Sequence, residues 1–179
     1  MLSRANPAGA IYVPFIGDGD IADACYSERQ IYGADLDPKR VATAQKRLSD
    51  AQVIVGDCDD WPFAGRAVEP VSVADFDAYG NPYKGFLSFW RQAPKFFPMV
   101  CFFTDGLRLR VQRGDVVWDW ATQKAITSES PNQARAQFNF WFKRHALPYV
   151  QQIVTPHRII DTKFYLRRHM VYWGCVIDQ

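Results

Sequence analysis

The sequence is short of the residues that build metal sites and disulfide frameworks: it has three histidines and four cysteines in 179 residues. His145, His157 and His169 stand too far apart to read as a ligand set. Cys25, Cys58, Cys101 and Cys175 include no close pair of the kind zinc sites use. The neighbours of Cys101 and Cys175 are apolar, so these read as buried free thiols. Free thiols fit a reducing compartment, and a cytoplasmic location is the expectation. No apolar stretch approaches the ~18 residues that span a bilayer, and no basic segment followed by an apolar run marks a signal peptide. No repeat, low-complexity tract or Pro/Gly/Ser-rich linker divides the chain, so residues 1–179 read as one domain. No Ser-His-Asp arrangement is legible. Neither sign of charge dominates; a net charge of +2 is too mild to imply a nucleic-acid partner by itself and does not exclude one.

What is present is a globular composition, 48% hydrophobic and 22% charged, enough to bury a core. Over the first hundred residues short β-like runs alternate with helix-like runs. Strands are expected at 10–15, 31–35, 52–55, 71–74 and 98–104, and helices at 21–26, from 37–38 onward, and at 82–92. Asp37 is placed to cap the second helix, with Pro38 in its first turn and Val41, Ala44 and Leu48 on one face. Strands separated by helices of this length pair in parallel through right-handed crossovers. Residues 106–130 resist assignment. Residues 134–146 look helical, and 149–155 and 164–177 look like long strands that pair antiparallel at one sheet edge. The expected fold is α/β: a single doubly wound, mostly parallel sheet of about seven strands with a C-terminal antiparallel hairpin.

In such a sheet, ligands bind beyond the C-terminal ends of the strands, and the polar residues of this sequence gather there. The first strand runs into Gly17-Asp18-Gly19, a tight turn that lets a ligand approach the backbone. The second ends in Asp35, roughly twenty residues on, where a carboxylate can accept both hydroxyls of a ribose. The third ends in Gly56-Asp57-Cys58, where the Asp57 carboxylate can accept from an adenine amino group and the next amide can donate to the ring. Together these describe an adenosine site. A dinucleotide would satisfy the first two, although Ala22 stands where its third glycine usually falls.

The fourth strand delivers Asp75-Phe76-Asp77-Ala78-Tyr79-Gly80-Asn81-Pro82. This segment resembles the Asp-x-Asp-Pro-Tyr/Phe-Gly-Ser/Thr-Pro segment of tRNA guanine-N2 dimethyltransferases. It is also a looser relative of the Asp/Asn-Pro-Pro-Tyr segment of the wider amino-methylating group. Pro14-Phe15-Ile16-Gly17-Asp18-Gly19 is similar to the glycine turn of these class I methyltransferases. Tyr32–Pro38 is similar to their second strand, and Thr104-Asp105 to a Thr-Asp pair after their fifth. The likeness covers roughly residues 10–107. It implies a Rossmann-like methyltransferase fold and S-adenosyl-L-methionine as cofactor, held by Phe15, Gly17, Asp18, Gly19, Asp35, Asp57 and Cys58. It also implies methyl transfer to an exocyclic amine of a nucleic-acid base, RNA or DNA. Asp77 would accept from the amine, Tyr79 would stack on the base, and Asp75 would orient the loop or share the role. Val13 and Ala78 depart from the pattern, which often carries an acid and a proline there.

The C-terminal third places Phe138, Phe140, Trp141 and Phe142 beside Lys143-Arg144, and later carries His157-Arg158 and Arg167-Arg168-His169. Bases among aromatics suit a nucleic-acid surface, and Phe138, Trp141 and Phe142 at helical spacing equally suit a core. Trp118 and Trp120 are candidates for a lid. No target-recognition domain is visible, so specificity is expected from loops, from 106–130, or from a partner subunit or second copy. The alternative functions are a methyltransferase of small molecules or proteins, and a non-catalytic subunit that keeps the fold.

Overall fold

The computed structural model describes residues 1–78, 80–106, 117–119, 124–126, 146–167 and 170–179. The expected calls at 134–145, at Trp120, and on the side chains of Trp118, Arg167, Arg168 and His169 lie outside the described residues.

A seven-stranded sheet in the order β3-β2-β1-β4-β5-β9-β8 organises the chain. Its parallel part is β1 (Ala10–Pro14), β2 (Ile31–Asp35), β3 (Gln52–Val55), β4 (Val71–Phe76) and β5 (Lys95–Asp105). β8 (Arg158–Arg167) and β9 (Met170–Asp178) close it as an antiparallel hairpin, and β9 rather than β8 pairs with β5. A separate small pair joins β6 (Val117–Asp119) to β7 (Lys124–Ile126), within the stretch whose sequence carries no clear period.

Alternation along the strands divides the core in two. On one face Ile11, Val13, Val73, Val100 and Val176 meet α1 (Asp20–Tyr26) and α2 (Pro38–Arg47), with Val41, Ala44 and Leu48 buried as their spacing predicts. Asp37 caps α2 by accepting from the Lys39 amide. On the other face Tyr12, Phe76, Phe103 and Trp173 meet α3 (Tyr83–Gln92) and α4 (Leu147–Val154). This second layer is largely aromatic: Tyr12 stacks on Phe89 at 5.2 Å, and Phe103 stacks on Trp173 at 4.3 Å.

The expected strand at 149–155 is instead helix α4. Its β-branched Val150, Ile153 and Val154 favour a strand by propensity. However, Ala146, Val150 and Val154 recur every four residues and are buried together, and Pro148 suits the first helical turn. The hairpin is present, but its strands are 158–167 and 170–178 rather than 149–155 and 164–177. The Gln151 side chain ties α4 to that hairpin: it donates to the His157 carbonyl and accepts from the Ile159 amide, each at 3.0 Å.

The aromatic layer sets a first prediction. Phe89→Ala removes a ring that is wholly buried and should cost about 3–5 kcal/mol in urea unfolding. Phe96→Ala, at a side chain 40% exposed, should change stability by less than about 0.5 kcal/mol.

Candidate active site

The turn after β1 is folded onto its neighbours by short hydrogen bonds. Phe15 sits at φ 60°, a strained conformation for a residue with a side chain. Its amide donates to Cys58 Sγ at 3.2 Å, and the next amide, that of Ile16, donates to the Ala34 carbonyl at 3.0 Å. Gly17 and Gly19 also have positive φ, at 57° and 83°. A Cβ on Gly19 would lie 3.3 Å from Ala44 and Leu48, so the turn rests directly on α2.

Asp35, at the end of β2, is the acid this turn is built around. Its Oδ2 accepts from the Gly17 amide at 3.1 Å and its Oδ1 from the Asp37 amide at 2.9 Å. A carboxylate has about four acceptor positions, so each oxygen keeps capacity for a further donor, as a pair of ribose hydroxyls requires. The next strand end is bound in by Cys58. Its buried thiol takes the Phe15 amide and donates to the Ala34 carbonyl at 3.3 Å. Burial pushes this thiol up to about 12, aided by the Asp35, Asp57 and Asp59 carboxylates, while the Phe15 amide pulls it down. It is a neutral tie between three strand ends, not a nucleophile. Asp57 and Asp18 are exposed, and Asp57 accepts from the Asp59 amide at 2.9 Å. A Cβ on Gly85 would come within 2.5 Å of the Cys58 carbonyl, so glycine is what lets α3 pack against this loop.

At the end of β4, alternation puts Asp75 and Asp77 on the α1 side with Val73. The two carboxylates differ in engagement. Asp75 accepts from the Tyr26 hydroxyl at 2.7 Å, joining β4 to the last turn of α1. Burial raises it to about 6; the Tyr26 hydrogen bond opposes that rise and Asp77 adds to it. Asp77 is half-buried and has no hydrogen-bond partner among the described residues. Tyr79 lies outside the described residues. The two residues that follow it in the chain are held by hydrogen bonds. The Gly80 carbonyl accepts from the Gly106 amide at 2.9 Å, and Asn81 Oδ1 accepts from the Tyr83 amide at 2.9 Å. The Tyr83 hydroxyl donates to the fully buried Asp105 at 2.9 Å and accepts from Trp173 Nε1 at 3.2 Å.

A pocket of about 650 Å³ opens beside Asp75 and Asp77, between α1 and the hairpin, and none of Phe15, Gly17, Asp35 or Asp57 lines it. The strand ends thus form two adjoining parts: the cradle on β1, β2 and β3, and the pocket beyond β4. The sequence pattern gave no sign of Tyr26, Ile21 or Cys25 as part of this site. In a sequence Tyr26 reads as core, while Ile21 and Cys25, which are exposed, read as ordinary surface, until the strand beside them is known to carry an acid.

No family model matches the chain, and no curated protein sequence matches it. Solved structures do. An S-adenosylmethionine-dependent methyltransferase from Mesorhizobium loti is 11% identical with a TM-score of 0.62, covering 98% of this chain and 94% of that one. A SAM-dependent methyltransferase from Methanosarcina mazei is 10% identical with a TM-score of 0.60, covering 99% and 95%. An rRNA methylase from Streptococcus thermophilus is 10% identical with a TM-score of 0.52, covering 99% and 90%. At these identities the likeness establishes the fold: the chain has the Rossmann-like α/β architecture of the class I methyltransferases. No helix among the described residues is long and apolar enough to cross a membrane.

Asp75 yields a test of the site's electrostatics. Its carboxyl sits above its ordinary value, so the folded chain holds this proton more tightly than the unfolded chain. Its contribution to stability therefore falls as pH rises from about 4 to about 6. At pH 7 the buried charge costs roughly 3 kcal/mol. Asp75→Asn keeps an acceptor for Tyr26 and loses the charge. The variant should melt higher than the parent at pH 7, with the difference vanishing near pH 4.

Proposed function

We propose that the chain is an S-adenosyl-L-methionine-dependent methyltransferase acting on an exocyclic amine of a nucleic-acid base. One observation carries this reading. An acid with spare acceptor capacity, Asp35, is locked to a glycine turn, and an unengaged carboxylate, Asp77, follows the adjacent strand.

The residues present suit the cofactor. Asp35 would take the ribose hydroxyls, and Asp57 with the Cys58 amide the adenine edge. The turn of Phe15, Gly17, Asp18 and Gly19 would lie along the rest. When bound, the cofactor supplies an electrophilic methyl on a sulfonium. The remaining work falls to the chain. An exocyclic amine is a poor nucleophile because its lone pair is delocalised into the ring. Asp77, accepting from the amine, would draw the nitrogen toward a tetrahedral shape and free that pair, and the proton that the methylated nitrogen sheds would pass to Asp77 and on to water. Tyr79, by its place in the segment, stacks on the base and adds ~1–3 kcal/mol of binding. Asp75, held by Tyr26, fixes the strand end from which Asp77 projects. The base is positioned rather than activated by a strong base, and a base in a duplex would have to be flipped out to reach the site. The motif likeness in Asp75–Pro82 and the rRNA methylase among the structural neighbours support the nucleic-acid acceptor.

Calorimetry should show S-adenosylmethionine binding that Asp35→Ala abolishes. Tritiated methyl transfer onto DNA, tRNA and rRNA, followed by nucleoside analysis, should identify a methylated base. Asp77→Ala should lower kcat about a hundredfold while leaving cofactor affinity unchanged. Transfer that survives Asp77→Ala would defeat the assignment. Cofactor binding with no transfer to any nucleic acid would turn the reading to a small-molecule or protein acceptor, or to a non-catalytic subunit.

A further inference from the structure

The pocket beyond β4 has a charge order fixed by strand register. Asp75 on β4 lies opposite Phe102 on β5, Phe102 opposite Gly174 on β9, and Gly174 opposite Lys163 on β8. Residues opposite one another share a face of the sheet, so one row across four strands reads carboxylate, aromatic ring, glycine, ammonium. The neighbouring row reads Thr104, Tyr172 and Tyr165. All seven residues line the pocket, and Asp77 joins Asp75 at the acidic end. Strands lie about 4.8 Å apart, so the backbone positions of Asp75 and Lys163 are separated by roughly 14 Å, and the lysine side chain shortens the span a ligand must bridge. Gly174 lets the row close up: the Phe102 ring and the Met1 sulfur fill the space that a side chain there would need. Lys163 is exposed, forms no ion pair among the described residues, and belongs to no part of the cofactor cradle.

A ligand complementary to this row carries hydrogen-bond donors at one end, a flat ring in the middle and an anion at the other end. We infer that the pocket holds the acceptor as a nucleotide unit, with its amine toward Asp77 and Asp75, its ring over Phe102 and Tyr172, and its phosphate on Lys163. This inference rests on the methyltransferase reading for the chemistry, while the binding it predicts is measurable without turnover. Lys163 is then a specificity-determining residue. It discriminates a phosphorylated acceptor from a bare nucleoside, and it does so from the hairpin, far in sequence from Asp75 and Asp77.

The test is a titration of the full chain, first with S-adenosylhomocysteine and then with adenosine, cytidine and guanosine beside their 5′-monophosphates and a short single-stranded oligonucleotide. At least one monophosphate should bind about tenfold tighter than its nucleoside. Lys163→Gln should erase that preference and flatten its salt dependence by about one ion, while Lys163→Arg should retain it. Tyr172→Ala should weaken nucleoside and monophosphate alike. Tighter binding of the oligonucleotide assigns the phosphate to a strand, and tighter binding of the monophosphate assigns it to a free nucleotide. Equal affinity for nucleoside and monophosphate, a preference that survives Lys163→Gln, or no binding of any of these probes would each overturn the inference. Failure of the first titration alone sinks the methyltransferase reading, since the nucleotide titration of unloaded protein still reports on the pocket.

Discussion

Everything at this site follows from the reversal of strand order between β1 and β4. The chain lays β2 and β3 to one side of β1, then crosses over to lay β4 and β5 on the other. Crossovers before and after the reversal cover opposite faces, so the loops leaving β1 and β4 part from each other and open a crevice between them. No side chain has to create that crevice. What the sequence supplies is a set of polar residues at its rim, and the glycines that let backbone and helix come close around them.

The acids at the rim divide by engagement. Asp75 and Asp105 are occupied by tyrosine hydroxyls and hold elements together: Tyr26 fastens α1 to β4, and Tyr83 fastens α3 to the end of β5. Asp35 and Asp77 keep acceptor capacity. Both kinds look alike in a sequence, where each is an acid at a strand end. The difference lies in which ones find a partner from an element packed on the same face, and this separates residues that build a crevice from residues that meet a ligand.

Where local chemistry decides, the sequence is legible. Strands β2 and β3 begin and end where their short apolar runs do, and α2 starts where Asp37 and Pro38 place it. Where propensity and burial disagree, it misleads. The branched residues of 147–154 read as a strand, yet a four-residue recurrence buried against α3 makes them a helix. The glycine turn, Asp35 and the β4 acids stand at the strand ends to which their spacing assigned them. Their neighbours from across the fold did not announce themselves. Tyr26, Lys163 and Tyr172 line the pocket beside Asp75 through helix packing and strand register, and neither is written in a local window. Lys163 in particular owes its place to a hairpin whose partners the sequence pattern paired differently.

The nesting of β9 inside β8 bears on how the chain assembles during synthesis. β5 carries Phe102 and Phe103, and the strand that pairs with its outer edge, β9, begins at Met170, far along the chain from Asp105. A growing chain with an open, aromatic edge is a template for association with its own kind. The sheet is therefore completed out of sequence order: β5 gains its outer partner only when the hairpin folds back on it, with β9 inserted between β5 and β8.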